Sequence, residues 1–187
     1  RHLLPKMNYS GYLITRAFWP IYTSGIPAGA TISSSTLFLY VYDAGDINEG
    51  TGNLYVVQTD QPDHTTITTA DYNNVGATST PDIGSNGLHI NSQITAGTYA
   101  GLKLNATSGI PWIKKSGQSS PCGASLTGWT CLGTRISYDT NNSAPTGNGH
   151  YVNVNTSENA SNKPYLGVVY TVAAAAETPQ QGLTIFE

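Results

Sequence analysis

The chain has 187 residues, a formal net charge of −3 and only 10% charged residues, well below the roughly 25% of ordinary soluble proteins. The chain is instead rich in small and uncharged polar residues, with 17 serines, 24 threonines, 15 asparagines and 20 glycines. A hydrophobic content of 39% excludes a disordered chain, and the slight negative charge argues against nucleic acid and anionic membranes as partners. The longest apolar run, residues 166–176, is too short for a membrane-spanning helix.

Along much of the chain, apolar and polar residues occupy alternate positions, a pattern that is typical of half-buried β-strands. The clearest example is residues 31–42, where Phe38, Tyr40 and Tyr42 lie on one face and the aliphatic residues between them on the other. Groups of turn-forming residues separate this strand from its neighbours. Further strands are predicted at residues 11–18, 53–59, 87–94, 98–105, 131–138, 150–156 and 164–172.

Eight or so short strands at this spacing predict an all-β fold, an antiparallel two-sheet β-sandwich of jelly-roll or Greek-key type. Two segments, residues 68–74 and 108–115, are expected to form single helical turns. We therefore expect one sandwich domain over residues 1–172.

Two cysteines, Cys122 and Cys131, are separated by eight residues. This spacing does not fit a zinc site, which takes closer cysteine pairs and more ligands. A disulfide that closes this short loop is expected, with two reduced thiols as the alternative. A disulfide would indicate an oxidising, extracellular compartment, either secreted or at the cell surface.

The segment 173–187 differs from the rest, because a small-residue and turn-rich spacer precedes the short β-prone sequence Leu183-Thr-Ile-Phe186. We expect Leu183, Ile185 and Phe186 to form an assembly strand that adds to the sheet edge of a neighbouring copy, with residues 3–7 as a further candidate contribution to the contact. The alternatives are that the segment folds back on its own domain or forms a disordered linker.

Charged residues within strand patterns are expected to pair, since a buried charge needs a partner. We predict a structural ion pair between Arg16 and Glu158, and a contact between Arg135 and Asp139 near the same strand end. Plain exposed charges or a ligand contact are the alternatives.

One acidic loop contains four oxygen-bearing side chains, from Asp43, Asp46, Asn48 and Glu49. Calcium is coordinated by six to eight oxygens and tolerates irregular loops. The spacing is not that of an EF-hand, and such residues are also common in solvated hairpins. The loop is therefore a candidate calcium site and a candidate ordinary turn, and no other cofactor is indicated.

Aromatic side chains could provide a platform for sugar rings, and Trp19 and Trp112 are the candidate sugar contacts. The alternative is that they fill the core. Catalysis has no support in the sequence: the four histidines stand in no recognisable motif and no nucleophile or phosphate-loop motif is present, so we predict that the protein is not an enzyme.

Several segments resemble DNRLRE-type domains when they are taken in order. The family pattern of a strand, a Ser-x-Ile-Pro turn and Ala-Thr-Ile matches residues 16–37, and its closing Pro-x-Leu-x-Val-x-Tyr-Thr matches residues 164–171. The family's Phe-Asp is replaced here by Ile21-Tyr22. The resemblance covers residues 10–172 and implies a secreted β-sandwich of microbial surface proteins, some of whose relatives are described as carbohydrate-binding.

These features predict a non-enzymatic extracellular structural protein, a subunit of a surface filament or assembly whose copies join head-to-tail by β-strand addition. The alternative is a carbohydrate-binding or adhesive module of a larger surface protein, with polysaccharide as its partner. An inert spacer domain is a third interpretation.

Overall fold

The computed structural model describes residues 6–8, 11–45, 52–76, 81–123, 125–145, 150–173 and 180–186. Its strands, in chain order, are β1 (Lys6–Asn8), β2 (Gly11–Leu13), β3 (Ala17–Tyr22), β4 (Ala30–Gly45), β5 (Asn53–Gln58), β6 (Leu88–His89), β7 (Thr98–Lys103), β8 (Trp129–Ile136), β9 (Tyr151–Val154), β10 (Tyr165–Val172) and β11 (Gln180–Phe186).

The strands form two main antiparallel sheets, so the predicted all-β sandwich is confirmed. The first sheet has the order β11-β10-β4-β7, with β9 also paired to β4. The second has the order β3-β8-β5-β6. Strands β1 and β2 form a separate two-stranded sheet.

Alternation along β4 explains why the two sheets pack together. Leu37, Leu39 and Val41 are completely buried, whereas the residues between them are partly exposed. Facing residues of the second sheet, among them Val56 and Ile136, belong to the same hydrophobic cluster. The burial of these aliphatic side chains between the sheets is the main stabilising contribution to the fold.

Helical structure is confined to short turns. Two 3-10 turns, Thr69–Asn73 and Ile110–Trp112, fall inside the two segments predicted to be helical. Two further helical turns, α1 (Ile90–Gln93) and α2 (Ser137–Thr140), were not predicted. The prediction of a strand over residues 87–94 is therefore wrong beyond His89, because pairing with β5 ends at His89. There the Gln93 side chain accepts a hydrogen bond from the His89 N–H.

Among the described residues, no helix has the length and apolar character needed to cross a membrane.

Candidate functional site

The C-terminal strand β11 is an edge strand of the five-stranded sheet, and we call each outer edge of this sheet a rim. It pairs antiparallel with β10 of its own chain from Leu166–Phe186 to Val172–Gln180. Of the arrangements that the sequence left open for this segment, the structure of the chain therefore has the fold-back. Leu183, Ile185 and Phe186 stand opposite Val169, Gly167 and Leu166. Pairing with a neighbouring copy stays a prediction.

Strand β11 lies at the end of the described strand order of this sheet. Val169, on the adjacent strand β10, is 39% exposed. On the side away from β10, no described strand pairs with β11. An open edge of this kind presents backbone N–H and C=O groups that another strand can bond.

A buried ionic cluster joins the start of β3 to the end of β8. The Asp139 carboxylate accepts hydrogen bonds from Arg16 Nε and Nη2, at 2.9 and 2.8 Å, and from Arg135 Nε and Nη2. The Arg16 guanidinium also lies 4.2 Å from the ring centre of Tyr72 and donates to the Tyr72 carbonyl. All three charged side chains are nearly or fully inaccessible to solvent.

The predicted pairing of Arg135 with Asp139 is confirmed, but the predicted pair of Arg16 with Glu158 is wrong. Glu158 is exposed, and its carboxylate accepts a hydrogen bond from the Ser157 hydroxyl. The register of β3 on β8 explains the difference. Ala17 stands opposite Thr134, so Arg16 lies beside Arg135 and shares its carboxylate.

The two arginines keep Asp139 ionised. Burial by itself would raise the pKa of this carboxyl group, because it penalises the charged form. The hydrogen bonds and positive charges of Arg16 and Arg135 outweigh burial and hold the pKa of Asp139 below its ordinary value. The cluster therefore holds the start of β3, the end of β8 and α2 together through paired charges, and we call it the ionic clamp. Its carboxylate is not available as an acid or a base.

The disulfide between Cys122 and Cys131 is present, and both residues are completely buried. It attaches a loop to β8, and the carbonyl of Cys131 accepts a hydrogen bond from the Thr59 N–H. Closing a loop of this length contributes about 2–3 kcal/mol on the chain-entropy estimate. The bridge thus stiffens the connection that enters β8.

The two tryptophans expected to contact sugar are both buried, so that prediction is wrong. Trp19 is 6% exposed, and its indole N–H donates to the Thr134 hydroxyl. Trp112 is 7% exposed and packs against Gly84. Both side chains belong to the core between the sheets.

A different set of aromatic rings lies on the outward side of the first sheet, and we call Phe38, Tyr40, Tyr99 and Tyr165 the aromatic face. Phe38 and Tyr165 stack with ring centres 4.7 Å apart, and Tyr99 contacts both Tyr40 and Tyr165 edge-on at 5.3 Å. The Phe38–Tyr165 and Tyr40–Tyr99 contacts link adjacent strands, whereas the Tyr99–Tyr165 contact joins β7 to β10 across β4, which lies between them.

Two glycines on the strands beside β4, Gly101 and Gly167, leave room for the ring of Phe38. A Cβ atom on Gly101 would lie 3.0 Å from this ring, and one on Gly167 would lie 3.3 Å from it. Tyr99 and Tyr42, on the same side of the sheet, are 37% and 44% exposed. The alternation of Phe38, Tyr40 and Tyr42 in the sequence was the signal for this face, but the sequence did not show that Tyr99 and Tyr165 would join it.

The candidate calcium loop is only partly described. Asp46, Asn48 and Glu49 lie outside the described residues. The carboxylate of Asp43 accepts hydrogen bonds from the Tyr151 hydroxyl and the Asn153 amide, at 3.4 and 3.3 Å. Burial and the charge of Asp43 raise the pKa of Tyr151. Within the described parts of the chain, no three acidic, histidine or cysteine side chains are grouped to hold a metal ion.

Comparison of the chain with family models, with curated proteins and with solved structures found no match. As far as the structure describes the chain, it is an all-β sandwich with a disulfide, the buried ionic clamp, an aromatic face and a strand, β11, whose outer edge pairs with no described strand. The resemblance to DNRLRE-type domains stays a prediction from sequence motifs.

Proposed function

We propose that this protein is a non-enzymatic extracellular structural protein, a subunit of a surface filament or assembly whose copies join by β-strand addition. The observation that carries the proposal is the position of β11, which forms a rim of the five-stranded sheet with no described strand on its outer side. Hydrogen bonds between such an edge and a strand of another molecule lower the free energy of the pair.

Two other properties support this function. Only 10% of the residues are charged, which limits electrostatic repulsion when many copies pack together. The disulfide between Cys122 and Cys131 suits an oxidising environment outside the cell. A rim contact between different edges is heterologous, so it closes into a ring or continues as a filament.

Deletion of residues 177–187 should abolish the assembly, because it removes the β11 rim. Sedimentation velocity and electron microscopy of the purified protein would measure the loss, and a thermal melt would check that the sandwich remains folded. Tyr22→Ser, at an exposed position of the other sheet, is the matched control and should assemble normally. Undiminished assembly of the truncated protein, or a wild-type protein that stays monomeric at all concentrations, would contradict the proposal.

A second candidate function, polysaccharide binding, is favoured by the aromatic face. Flat rings bind the C–H faces of sugar rings, and neighbouring polar groups bind the hydroxyls. The exposed polar side chain of Lys103 lies on β7, the strand that also carries Tyr99. Binding at the aromatic face would use side chains, whereas the assembly contact at the β11 edge would use backbone hydrogen bonds.

The double substitution Tyr99→Ala with Tyr165→Ala should weaken binding to cellulose, chitin or xylan by about tenfold or more, since an aromatic contact contributes about 1 kcal/mol beyond its buried area. Pull-down on the insoluble polysaccharides would measure it. Tyr22→Ala, which removes an exposed ring from the other sheet, should leave binding unchanged. Equal losses in the two variants, or no binding by the wild type, would reject this function.

A further inference from the structure

The five-stranded sheet has two different rims, β11 at one end and β7 at the other. Strand β7 pairs with β4 from Val41–Thr98 to Thr36–Lys103. Just past its end, the chain is already paired with another segment, through the isolated bridge between Ser85 and Leu104 and the Asn105 N–H, which donates to the Gly84 carbonyl at 2.6 Å. Along β7 itself, no strand other than β4 is paired among the described residues. Strand addition between copies therefore has a candidate receiving edge that is distinct from the donating one.

The direction of the backbone groups along β7 follows from the antiparallel ladder. The Leu104 N–H donates to the Ser35 carbonyl at 2.9 Å. In an antiparallel pair the bonded positions alternate, so the N–H and C=O groups of Leu102 face β4, whereas those of Gly101 and the N–H of Lys103 point away from it. This row can bond an incoming strand.

A groove runs along this edge and gives an incoming strand room. It encloses about 320 Å³ and lies between residues 85–88, which lead into β6, and residues 101–106, which include the end of β7. The groove thus opens at the side of the sandwich where the edges of the two sheets meet.

Charge favours the C-terminal segment as the occupant of this groove. Its lining contains one charged side chain, that of Lys103, which is exposed. The last fourteen residues of the sequence, 174–187, contain Glu177 and Glu187 and no lysine or arginine. A cationic edge and an acidic segment attract each other, and the attraction also favours this pairing over contact between two β7 edges.

We propose that the β7 edge and its groove receive strand β11 of a second copy, so that the five-stranded sheets of successive copies join rim to rim. This inference rests on the proposed assembly function and names its receiving surface. Because β11 can keep its bonds to β10 while its outer side pairs with β7 of the next copy, the contact needs no exchange of strands. The two rims differ, so the contact is heterologous and propagates.

Lys103→Pro tests the receiving edge directly. Proline removes the outward N–H of residue 103 and places its ring in the groove, and an edge strand tolerates proline where the N–H is not bonded within the sheet. We expect the concentration for half-assembly, measured by sedimentation velocity, to rise at least about tenfold. Lys103→Gln, which keeps the N–H, should shift it by less than about threefold.

The outcomes separate this inference from the proposed function. If Lys103→Pro assembles like the wild type while the protein without residues 177–187 does not, the β7 edge is wrong and the assembly function stands. If the truncated protein assembles normally, the proposed function itself fails. An equal loss in Lys103→Gln and Lys103→Pro would also overturn the inference, since the effect would then come from the side chain.

A measurement on the unmodified protein keeps the inference testable if Lys103→Pro does not fold. Hydrogen–deuterium exchange of the Gly101 and Lys103 amides should slow at least about tenfold in the assembled protein relative to the monomer, because outward N–H groups become bonded. The amides of β3, in the other sheet, are the internal control. Unchanged exchange at both positions on assembly would overturn the proposal.

Discussion

Asp139→Asn should lower the free energy of unfolding by about 3–5 kcal/mol, because it leaves two buried arginines without their shared carboxylate. Arg16 and Arg135 both donate to this group through paired nitrogens, and neither side chain has access to solvent that could replace it. For a domain of this size the loss corresponds to a melting temperature lower by roughly 6–20 °C. Chemical denaturation and a thermal melt would measure it.

Glu158→Gln is the matched control, because Glu158 is exposed and lies outside the cluster. It should change stability by less than about 0.5 kcal/mol. If the two variants lost stability equally, the cluster would not be the clamp that its geometry indicates.

The pH gives a second check on the same carboxylate. Since the pKa of Asp139 is lowered in the fold, its contribution is fully present above the ordinary aspartate pKa of about 3.9 and is lost as the pH falls through the lowered value. The difference in stability between the wild type and Asp139→Asn should therefore shrink in acid. A difference that stayed constant from neutral pH down to pH about 2 would show that the charge of Asp139 is not what stabilises the fold.

Gly84→Ala should destabilise the protein by about 3 kcal/mol, the upper part of the range for overpacked cores. An added Cβ would lie 2.6 Å from Cη2 of the buried Trp112 ring and closer still to Cζ3. The backbone of Gly84 cannot move away easily, since its N–H donates to the Val56 carbonyl and its carbonyl accepts from the Asn105 N–H. Urea denaturation would measure the change.

Gly29→Ala is the corresponding control, because an added Cβ there has nothing within 4 Å. Its effect should stay within about 0.5 kcal/mol. In addition, Trp112→Phe combined with Gly84→Ala should cost less than the sum of the two single changes, since the smaller ring makes room for the methyl group. Simple additivity would contradict the close approach of residues 84 and 112.

The alternation of apolar and polar residues predicted a strand well where one face of the strand is buried and the other is exposed to solvent. Residues 31–42 were predicted as a strand, and β4 extends over Ala30–Gly45. The segment 87–94 shows the limit of such reasoning. Its apolar residues suit a strand, but the neighbouring β5 offers partners only as far as His89, and the chain then turns into α1.

The sites depended on tertiary structure more than the strands did. The Arg135–Asp139 contact joins residues close in sequence and was predictable, whereas the place of Arg16 depended on the register of β3 against β8. Trp19 and Trp112 were candidate sugar contacts because composition does not reveal which side chains the packing of strands and turns will bury. Tyr99 and Tyr165 come from strands distant in sequence, and the order of strands in the sheet brings them together.

The sequence by itself determined the all-β class, the disulfide between Cys122 and Cys131 and the unusually low charge, because each of these follows from composition or short-range spacing. Tertiary structure alone decided which partner Arg16 takes, which aromatic rings face outward and that β11 returns to its own sheet. Those outcomes depend on register and strand order, which are set by contacts between segments far apart in the chain.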